Sequence, residues 1–215
     1  MYNEQWVAKM KSNKMERKKR MEAFIRNDIL ESAIVVLMEQ GIEKFTMDRV
    51  SNSAGVAKGT VYLYYTNKQA LLDAVLDYAY LPLQEQLKRI ISAEGEPLSK
   101  LEQCIHVCLA HTEENKLLLR QLRTVLFATM DRRISDKNSW YWTIAGMLGK
   151  VLEEASASGM IRPVNYVKVS ALFIDSINSL MAHRILSEVE ETIQQDADEL
   201  LDLYLNGLKP TKMSG

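Results

Sequence analysis

The sequence is poor in the two residues that most often interrupt helices, with four prolines and nine glycines in 215 residues. So few breaks favour long helices over the many short strands and turns of an all-β fold. No stretch alternates apolar and polar residues as a strand does, and the long segments instead repeat apolar residues every three or four positions. The sequence therefore predicts an all-α chain, long enough to bury a sizeable core.

Other absences exclude whole classes of protein. No apolar run reaches the length of a membrane-spanning helix, and the first 25 residues lack the hydrophobic region of a signal peptide. The two cysteines, Cys104 and Cys108, form no disulfide framework, which is typical of a reducing compartment. We therefore expect a cytoplasmic protein that has no membrane partner.

The known motifs of catalysis are missing as well. The sequence contains no phosphate-binding glycine loop, no nucleophile elbow and no His-Glu-x-x-His motif, so we expect neither an enzyme nor a cofactor. Cys104, Cys108 and His111 share one helix face, a pattern that could hold a metal or sense oxidation. Because Leu101 lies on the same face and cysteine is commonly buried, core packing is the favoured interpretation and no metal is assigned.

Charge is distributed unevenly along the chain. Residues 1–68 carry 12 Lys/Arg against 8 Asp/Glu, whereas residues 69–215 carry 15 against 20. The basic residues are densest near the N-terminus, where residues 9–26 hold eight Lys/Arg and two Glu. This pattern predicts a small nucleic-acid-facing head on an acidic body. Residues 1–20 are interpreted as a basic arm that is partly disordered and that, when DNA is bound, lies along phosphates or enters the minor groove beside the recognition helix.

The most informative stretch runs from Thr46 to Lys68, TMDRVSNSAGVAKGTVYLYYTNK. Thr46 is a suitable N-cap for a first short helix, and Gly55 suits the left-handed turn that ends it. A second helix of barely two turns follows, from Lys58 to Tyr64. Its small, cationic and hydrogen-bonding side chains point outward near its N-terminus, as a helix-turn-helix requires where it meets DNA.

The run from Thr46 through Ala70, with AGVAKGTVYLYYTNKQAL at its centre, resembles the DNA-binding signature of TetR-family transcriptional regulators. In that family a Gly-Val turn leads into a Lys/Ser-Gly-Thr-x-Tyr-x-Tyr recognition helix, and an Asn/Ser-Lys pair then caps a long helix. The alternative is a helix pair inside an ordinary bundle, which the exposed Gly-Thr-x-Tyr-x-Tyr run disfavours. The display and the resemblance together predict these DNA contacts: Thr46, Lys58, Gly59, Thr60, Tyr62, Tyr64 and Lys68.

The predicted head occupies residues 21–68, begins with a helix from Ile25 to Glu39, and is followed by a body over residues 69–215. A long helix from Asn67 to Ile91, kinked at Pro82, links the two. Apolar spacing predicts five further helices in the body, at Leu98–Thr112, Asn115–Met130, Ser139–Ser158, Tyr166–Glu188 and Thr192–Leu208.

Bulky apolar side chains on the middle helices of the body suggest, as a group, a small-molecule pocket, although each of them alone is better explained by core packing. The candidates are Phe127, Met130, Trp140, Trp142, Met147 and Phe173. The family resemblance implies a pocket in this region and a dimer through the last two helices. Our interface candidates there are Leu172, Ser176, Leu180, Leu201 and Tyr204.

We therefore expect a homodimeric, sequence-specific regulator that reads a palindromic operator in double-stranded DNA. A repressor released by a small hydrophobic or amphipathic effector is the preferred interpretation. A ligand-responsive activator, or a helical interaction protein without DNA specificity, is the alternative.

Overall fold

The structure of the protein is a computed structural model that describes residues 4–137, 139–186 and 192–208. All regular elements in these residues are helical, which confirms the all-α prediction. None of the described helices combines the length and the apolar character needed to cross a membrane. The described residues contain ten α-helices: α1 Glu4–Gln40, α2 Met47–Ser53, α3 Lys58–Tyr64, α4 Lys68–Ala79, α5 Leu81–Ser92, α6 Pro97–Glu114, α7 Lys116–Ser135, α8 Trp140–Ala157, α9 Tyr166–Leu186 and α10 Ile193–Leu208.

The chain divides into two compact units, and the N-terminal one comprises residues 1–78. Within it α1 packs on α2, and α2 packs on α3. A short 3-10 helix, Ile42–Lys44, joins α1 to α2. Phe45, directly after it, is fully buried, as expected of an apolar residue that precedes a helix cap. The core of this unit is completed by Ile29, Ala33, Val36, Leu37, Val50, Val61, Leu71 and Val75.

Helix α1 begins at Glu4, well before the predicted start at Ile25. Its apolar stripe starts only near Ile29, and the side chains from residue 9 to residue 24 are all exposed. Apolar periodicity cannot detect a helix that buries nothing. The available signal was the intrinsic helix propensity of the Lys, Arg, Met and Glu residues in this segment.

The predicted single helix from Asn67 to Ile91 is wrong in one detail, because the structure breaks it at Tyr80. Helix α4 ends at Ala79 and α5 begins at Leu81. Pro82 lies in the first turn of α5, where its missing N–H removes no intrahelical hydrogen bond. The proline therefore lies at the start of a separate helix, and Tyr80 before it has φ −89° and ψ −6°.

The C-terminal unit comprises residues 79–215. Helix α8 packs on α5, α6, α7 and α9, and α6 also packs on α10. A Cβ atom on Gly149 would lie 3.3 Å from Ser170 Oγ, so the glycine permits the close approach of α8 to α9. The helix bounds within the described part of this unit lie within a few residues of the predicted ones, except that α7 continues to Ser135.

Candidate functional site

The helix-turn-helix pair is capped and turned as the sequence predicts. Thr46 is extended, with φ −137° and ψ 154°, and its Oγ1 accepts a hydrogen bond from the Arg49 N–H at 3.3 Å. After α2, Gly55 has φ 64°, a conformation that residues with a side chain adopt only under strain. The Val56 N–H then donates to the Ser51 carbonyl at 3.0 Å and closes the turn. These contacts set the direction in which α3 leaves the turn.

Helix α3 turns one side toward the core and the other toward solvent. Val61 is buried, and so is Tyr65, which directly follows the helix. The predicted DNA contacts occupy the remaining positions, with Lys58, Gly59 and Tyr62 exposed and Thr60 and Tyr64 half-buried. The inward and outward positions are those that the helical phase predicts.

Two residues behind α3 are held by contacts inside the N-terminal unit. Arg26 Nε donates to the Tyr65 hydroxyl at 3.3 Å, and its guanidinium carbon lies 5.6 Å from the ring centroid. Lys68 Nζ donates to the Ile42 carbonyl at 3.0 Å and lies 5.6 Å from the centroid of the Phe45 ring. Lys68 therefore holds the first turn of α4 to the 3-10 helix, and its contact with DNA stays a prediction.

Lys58, the first residue of α3, forms an ion pair that the sequence analysis did not find. Its Nζ lies 2.6 Å from Oδ1 of Asp48, which is in the first turn of α2. The hydrogen bond with Asp48 and then its charge raise the pKa of Lys58, so the lysine stays positively charged. The two side chains are 57% and 58% exposed, so water and other anions compete for this pair.

Leu63 is a second residue that the sequence analysis missed. Its side chain is 83% exposed on α3, beside the exposed Tyr62. It lies two residues after buried Val61, and this helical phase was the signal that could have identified it. An exposed apolar side chain on a helix that enters the major groove can contact the methyl group of thymine.

In the C-terminal unit, the predicted pocket residue Trp140 belongs to an aromatic cluster with Tyr80 and His111. The Trp140 and Tyr80 rings stack with centroids 3.9 Å apart and planes 3° apart. The Tyr80 ring also lies 5.6 Å from the His111 ring, and all three side chains are buried. Because Tyr80 is the single residue between α4 and α5, this cluster fixes the start of α5.

The other pocket candidates have different surroundings. Trp142 is half-buried and donates from Nε1 to the Ile134 carbonyl at 2.7 Å, and Met147 is also half-buried. Phe173 is fully buried and stacks on Tyr204 of α10 with ring centroids 3.7 Å apart. The side chains of two further candidates, Phe127 and Met130, lie outside the described residues.

Cys104, Cys108 and His111 lie on the buried side of α6. Burial raises the pKa of Cys104 to about 12 and also raises the pKa of Cys108, so both remain thiols, whereas metal binding and oxidation need the thiolate. Burial lowers the pKa of His111, against the opposing effects of Glu114 and the Ala79 backbone. Within the described residues, no group of three His, Cys, Asp or Glu side chains could hold a metal ion.

The five predicted interface residues differ in exposure within one protomer. Leu172 is 47% exposed, whereas Leu201 is 7% exposed and faces its own unit. Ser176, Leu180 and Tyr204 are half-buried, and the hydroxyls of Ser176 and Tyr204 lie 2.8 Å apart. A groove of about 980 Å³ lies between α9 and α10. Its lining includes Leu180, Leu203, Asp196, Asp198, Glu199 and Asp202.

Comparison with known proteins agrees with this geometry. Residues 29–75 match the family model described as bacterial regulatory proteins, tetR family. The chain is 25% identical over 182 residues to YvdT of Bacillus subtilis, an uncharacterized HTH-type transcriptional regulator, covering 82% of this chain and 87% of that protein.

Solved structures share the fold. A TetR-family transcriptional regulator from Pectobacterium atrosepticum matches with a TM-score of 0.69 and 18% identity, covering 89% of this chain and 97% of that one. The regulator FadR from Bacillus subtilis, solved in complex with stearoyl-CoA, matches with a TM-score of 0.64 and 20% identity, covering 84% and 98%.

Within the described residues the chain is helical, and its N-terminal unit holds a capped helix-turn-helix pair, an arrangement found in DNA-binding proteins. The matched residues 29–75 contain the whole pair, the C-terminal part of α1 and most of α4. Over residues 29–75, the N-terminal unit therefore resembles that of bacterial regulatory proteins of the tetR family.

Proposed function

We propose that this protein is a homodimer that binds a palindromic operator and represses transcription until a small hydrophobic or amphipathic effector releases it. The observation that carries the proposal is the exposed N-terminal side of α3, which buried Val61 and Tyr65 hold in place. Cationic, small and hydroxyl-bearing residues occupy that side, as major-groove readers require.

On DNA, the start of α3 enters the major groove. Lys58 and Thr60 reach base edges or adjacent phosphates, and Gly59 lets the helix backbone approach because it has no side chain. Removing a base contact of this kind costs roughly 1–3 kcal/mol of discrimination. The remaining contacts hold the phosphate backbone on either side and come from Thr46, Tyr62, Tyr64 and Lys68.

A palindrome requires a two-fold dimer that places two recognition helices about 34–36 Å apart. We assign the dimer interface to α9 and α10. Leu172 on α9 and Leu203 on α10 support this assignment, because both are large apolar side chains that the protomer leaves exposed.

The effector would bind in the C-terminal unit, near the cluster of Tyr80, Trp140 and His111. The buried His111 ring offers a polar group beside the apolar faces of Tyr80 and Trp140. The structure of FadR with stearoyl-CoA supports an amphipathic effector, because that ligand joins a long apolar chain to a polar group.

Release would pass through Tyr80, because this residue joins the effector region to α4. Displacing its ring would shift the C-terminal end of α4. The two recognition helices would then no longer match the spacing of the DNA grooves. For efficient release, the effector must bind the DNA-incompetent state more tightly by a few kcal/mol.

The test is fluorescence anisotropy at several salt concentrations with DNA from upstream of the protein's own coding region and a scrambled duplex of equal length. We expect selective binding by two protomers, and weaker binding when stearoyl-CoA is added as the first amphipathic probe. A reporter gene behind the same DNA should rise when the regulator is deleted, whereas a fall would support the activator. Weak and equal binding to both duplexes would favour the interaction protein.

The pair formed by Asp48 and Lys58 makes a separate prediction. Asp48→Asn should tighten binding to both duplexes about threefold to tenfold, because it frees Lys58 and removes a negative charge near the phosphates. The control is Glu43→Gln, which removes an exposed carboxylate of the same unit that has no ion pair with Lys58 in the structure. Equal gains from the two variants would assign the effect to net charge, and unchanged affinity for Asp48→Asn would contradict the prediction.

A further inference from the structure

The N-terminal part of α1 is a helix without a core of its own. Every side chain from residue 9 to residue 24 is exposed, and Ile29 is the first buried residue among the described side chains of α1. Helices of this length are marginal in water unless one of their faces is packed. This segment therefore lacks the packing that stabilises a helix, and a partner outside the unit would supply it.

The charge of the segment indicates what that partner is. Of the twelve residues from Lys9 to Arg20, seven are basic and only Glu16 is acidic. Like charges at helical spacing repel one another and destabilise the helix. The ion pair from Lys18 to Glu22, at 3.7 Å, is a surface pair that offsets little of this repulsion. A polyanion beside the helix would remove the repulsion between these basic side chains.

The segment is attached close to the recognition helix. Arg26, less than two turns beyond Arg20, donates to the hydroxyl of Tyr65, which directly follows α3. At 1.5 Å per residue, the helix from Lys9 to Arg20 is about 17 Å long. That length corresponds to about five base pairs of duplex.

Six of the seven basic residues form two groups around the helix, and the seventh, Lys19, lies between the groups. At 3.6 residues per turn, Lys11, Lys14 and Lys18 fall within about 60° of one another. The second group lies roughly 130° away and consists of Lys9, Arg17 and Arg20. One rigid helix can lay only one of these groups along a duplex.

We propose that one of these two faces lies along the phosphates of the duplex beside the operator core and gives each protomer a second, sequence-independent DNA contact. The inference rests on the proposed DNA-binding function. DNA fits better than a membrane surface, because the exposed Met10, Met15, Met21 and Phe24 are interspersed with lysine and arginine and form no continuous apolar stripe.

The experiment uses the full chain and two triple variants, each removing one basic face. One variant carries Lys11→Gln, Lys14→Gln and Lys18→Gln, and the other carries Lys9→Gln, Arg17→Gln and Arg20→Gln. Glutamine removes the charge but keeps high helix propensity, so far-UV circular dichroism should be unchanged. Binding is measured by anisotropy on a minimal selected duplex and on the same duplex extended by about eight base pairs at each end, enough for the roughly five base pairs that the segment spans.

We expect wild type to bind the extended duplex about tenfold more tightly, and one of the two triple variants to lose this gain. The salt slope of that variant should fall by about 2.7 per protomer, from three phosphates at roughly 0.9 each. Raising salt from about 50 to 200 mM should then cost it about 40-fold less affinity per protomer than wild type.

The matched control replaces three exposed lysines of the C-terminal unit, Lys88, Lys137 and Lys150, by glutamine and should bind both duplexes as wild type does. Equal losses from the two basic faces would indicate a flexible charged tail and overturn the inference. If wild type binds the selected sequence but gains nothing from the longer duplex, the inference about α1 fails while the proposed function stands. Failure of wild type to select any sequence would overturn the proposed function as well.

Discussion

A Gly59→Gln variant is expected to fold as stably as wild type and to bind its operator roughly 30- to 150-fold more weakly, about 2–3 kcal/mol. A Cβ atom at Gly59 would meet nothing within 4 Å in the free protein, so the fold has room for the side chain. Glutamine is also the better helix former. On DNA, the same side chain would separate the start of α3 from the groove.

Gly55→Gln is the matched control, because this glycine also has open space at its Cβ but has φ 64°. The left-handed conformation costs a residue with a side chain about 1–2 kcal/mol, so this variant should unfold at a lower temperature. Thermal unfolding by circular dichroism and operator affinity by anisotropy are measured on both variants. Operator affinity of Gly59→Gln at the wild-type level would show that the start of α3 does not face DNA.

Trp140→Ala is expected to lower the free energy of unfolding of the C-terminal unit by about 3–5 kcal/mol. The indole is buried and stacks on Tyr80 at 3.9 Å, so its removal leaves a cavity and an unsupported ring where α5 begins. Trp140→Phe keeps an aromatic ring for the stack, so its free energy of unfolding should fall by less than that of Trp140→Ala. Urea unfolding followed by far-UV circular dichroism measures both variants.

The comparison for Trp140 is Trp142→Ala, since Trp142 is only half-buried, donates a hydrogen bond to Ile134 and meets the Tyr141 ring edge to face. We expect this variant to lose clearly less stability than Trp140→Ala. Equal losses would mean that the stack with Tyr80 contributes nothing specific. If Tyr80 transmits effector binding, Trp140→Ala should also weaken the response of operator affinity to the effector under conditions where it stays folded.

The elements that could be predicted from sequence are those set by local chemistry. Thr46 caps α2 and Gly55 turns the chain because each acts on its immediate neighbours. The break at Tyr80 was missed because a proline in a first turn and a proline that kinks a helix look alike in sequence. In the structure, Tyr80 separates the two helices, and its ring stacks on Trp140, sixty residues away in the chain.

For the helix-turn-helix surface, too, only the features set by local chemistry could be predicted from sequence. The outward positions of α3 follow from the helical phase of Val61, whereas the partner of Lys58 lies across the turn at Asp48, at a spacing that no helical rule covers. In the body, Phe173 and Leu201 are buried inside their own unit. Hydrophobic pattern cannot separate such residues from those that face an effector or a second protomer, because all three environments favour apolar side chains.

The two tyrosines on either side of Ala79 indicate a suitable fusion point for chimeric proteins. The Tyr78 hydroxyl donates to Glu31 of α1 at 3.0 Å, whereas the Tyr80 ring stacks on Trp140. A fusion made between Tyr78 and Ala79 would keep the hydrogen bond of Tyr78 in the N-terminal unit and the ring stack of Tyr80 in the C-terminal unit. Heads of other regulators could therefore be exchanged at this bond, which would pair this protein's effector response with a different operator.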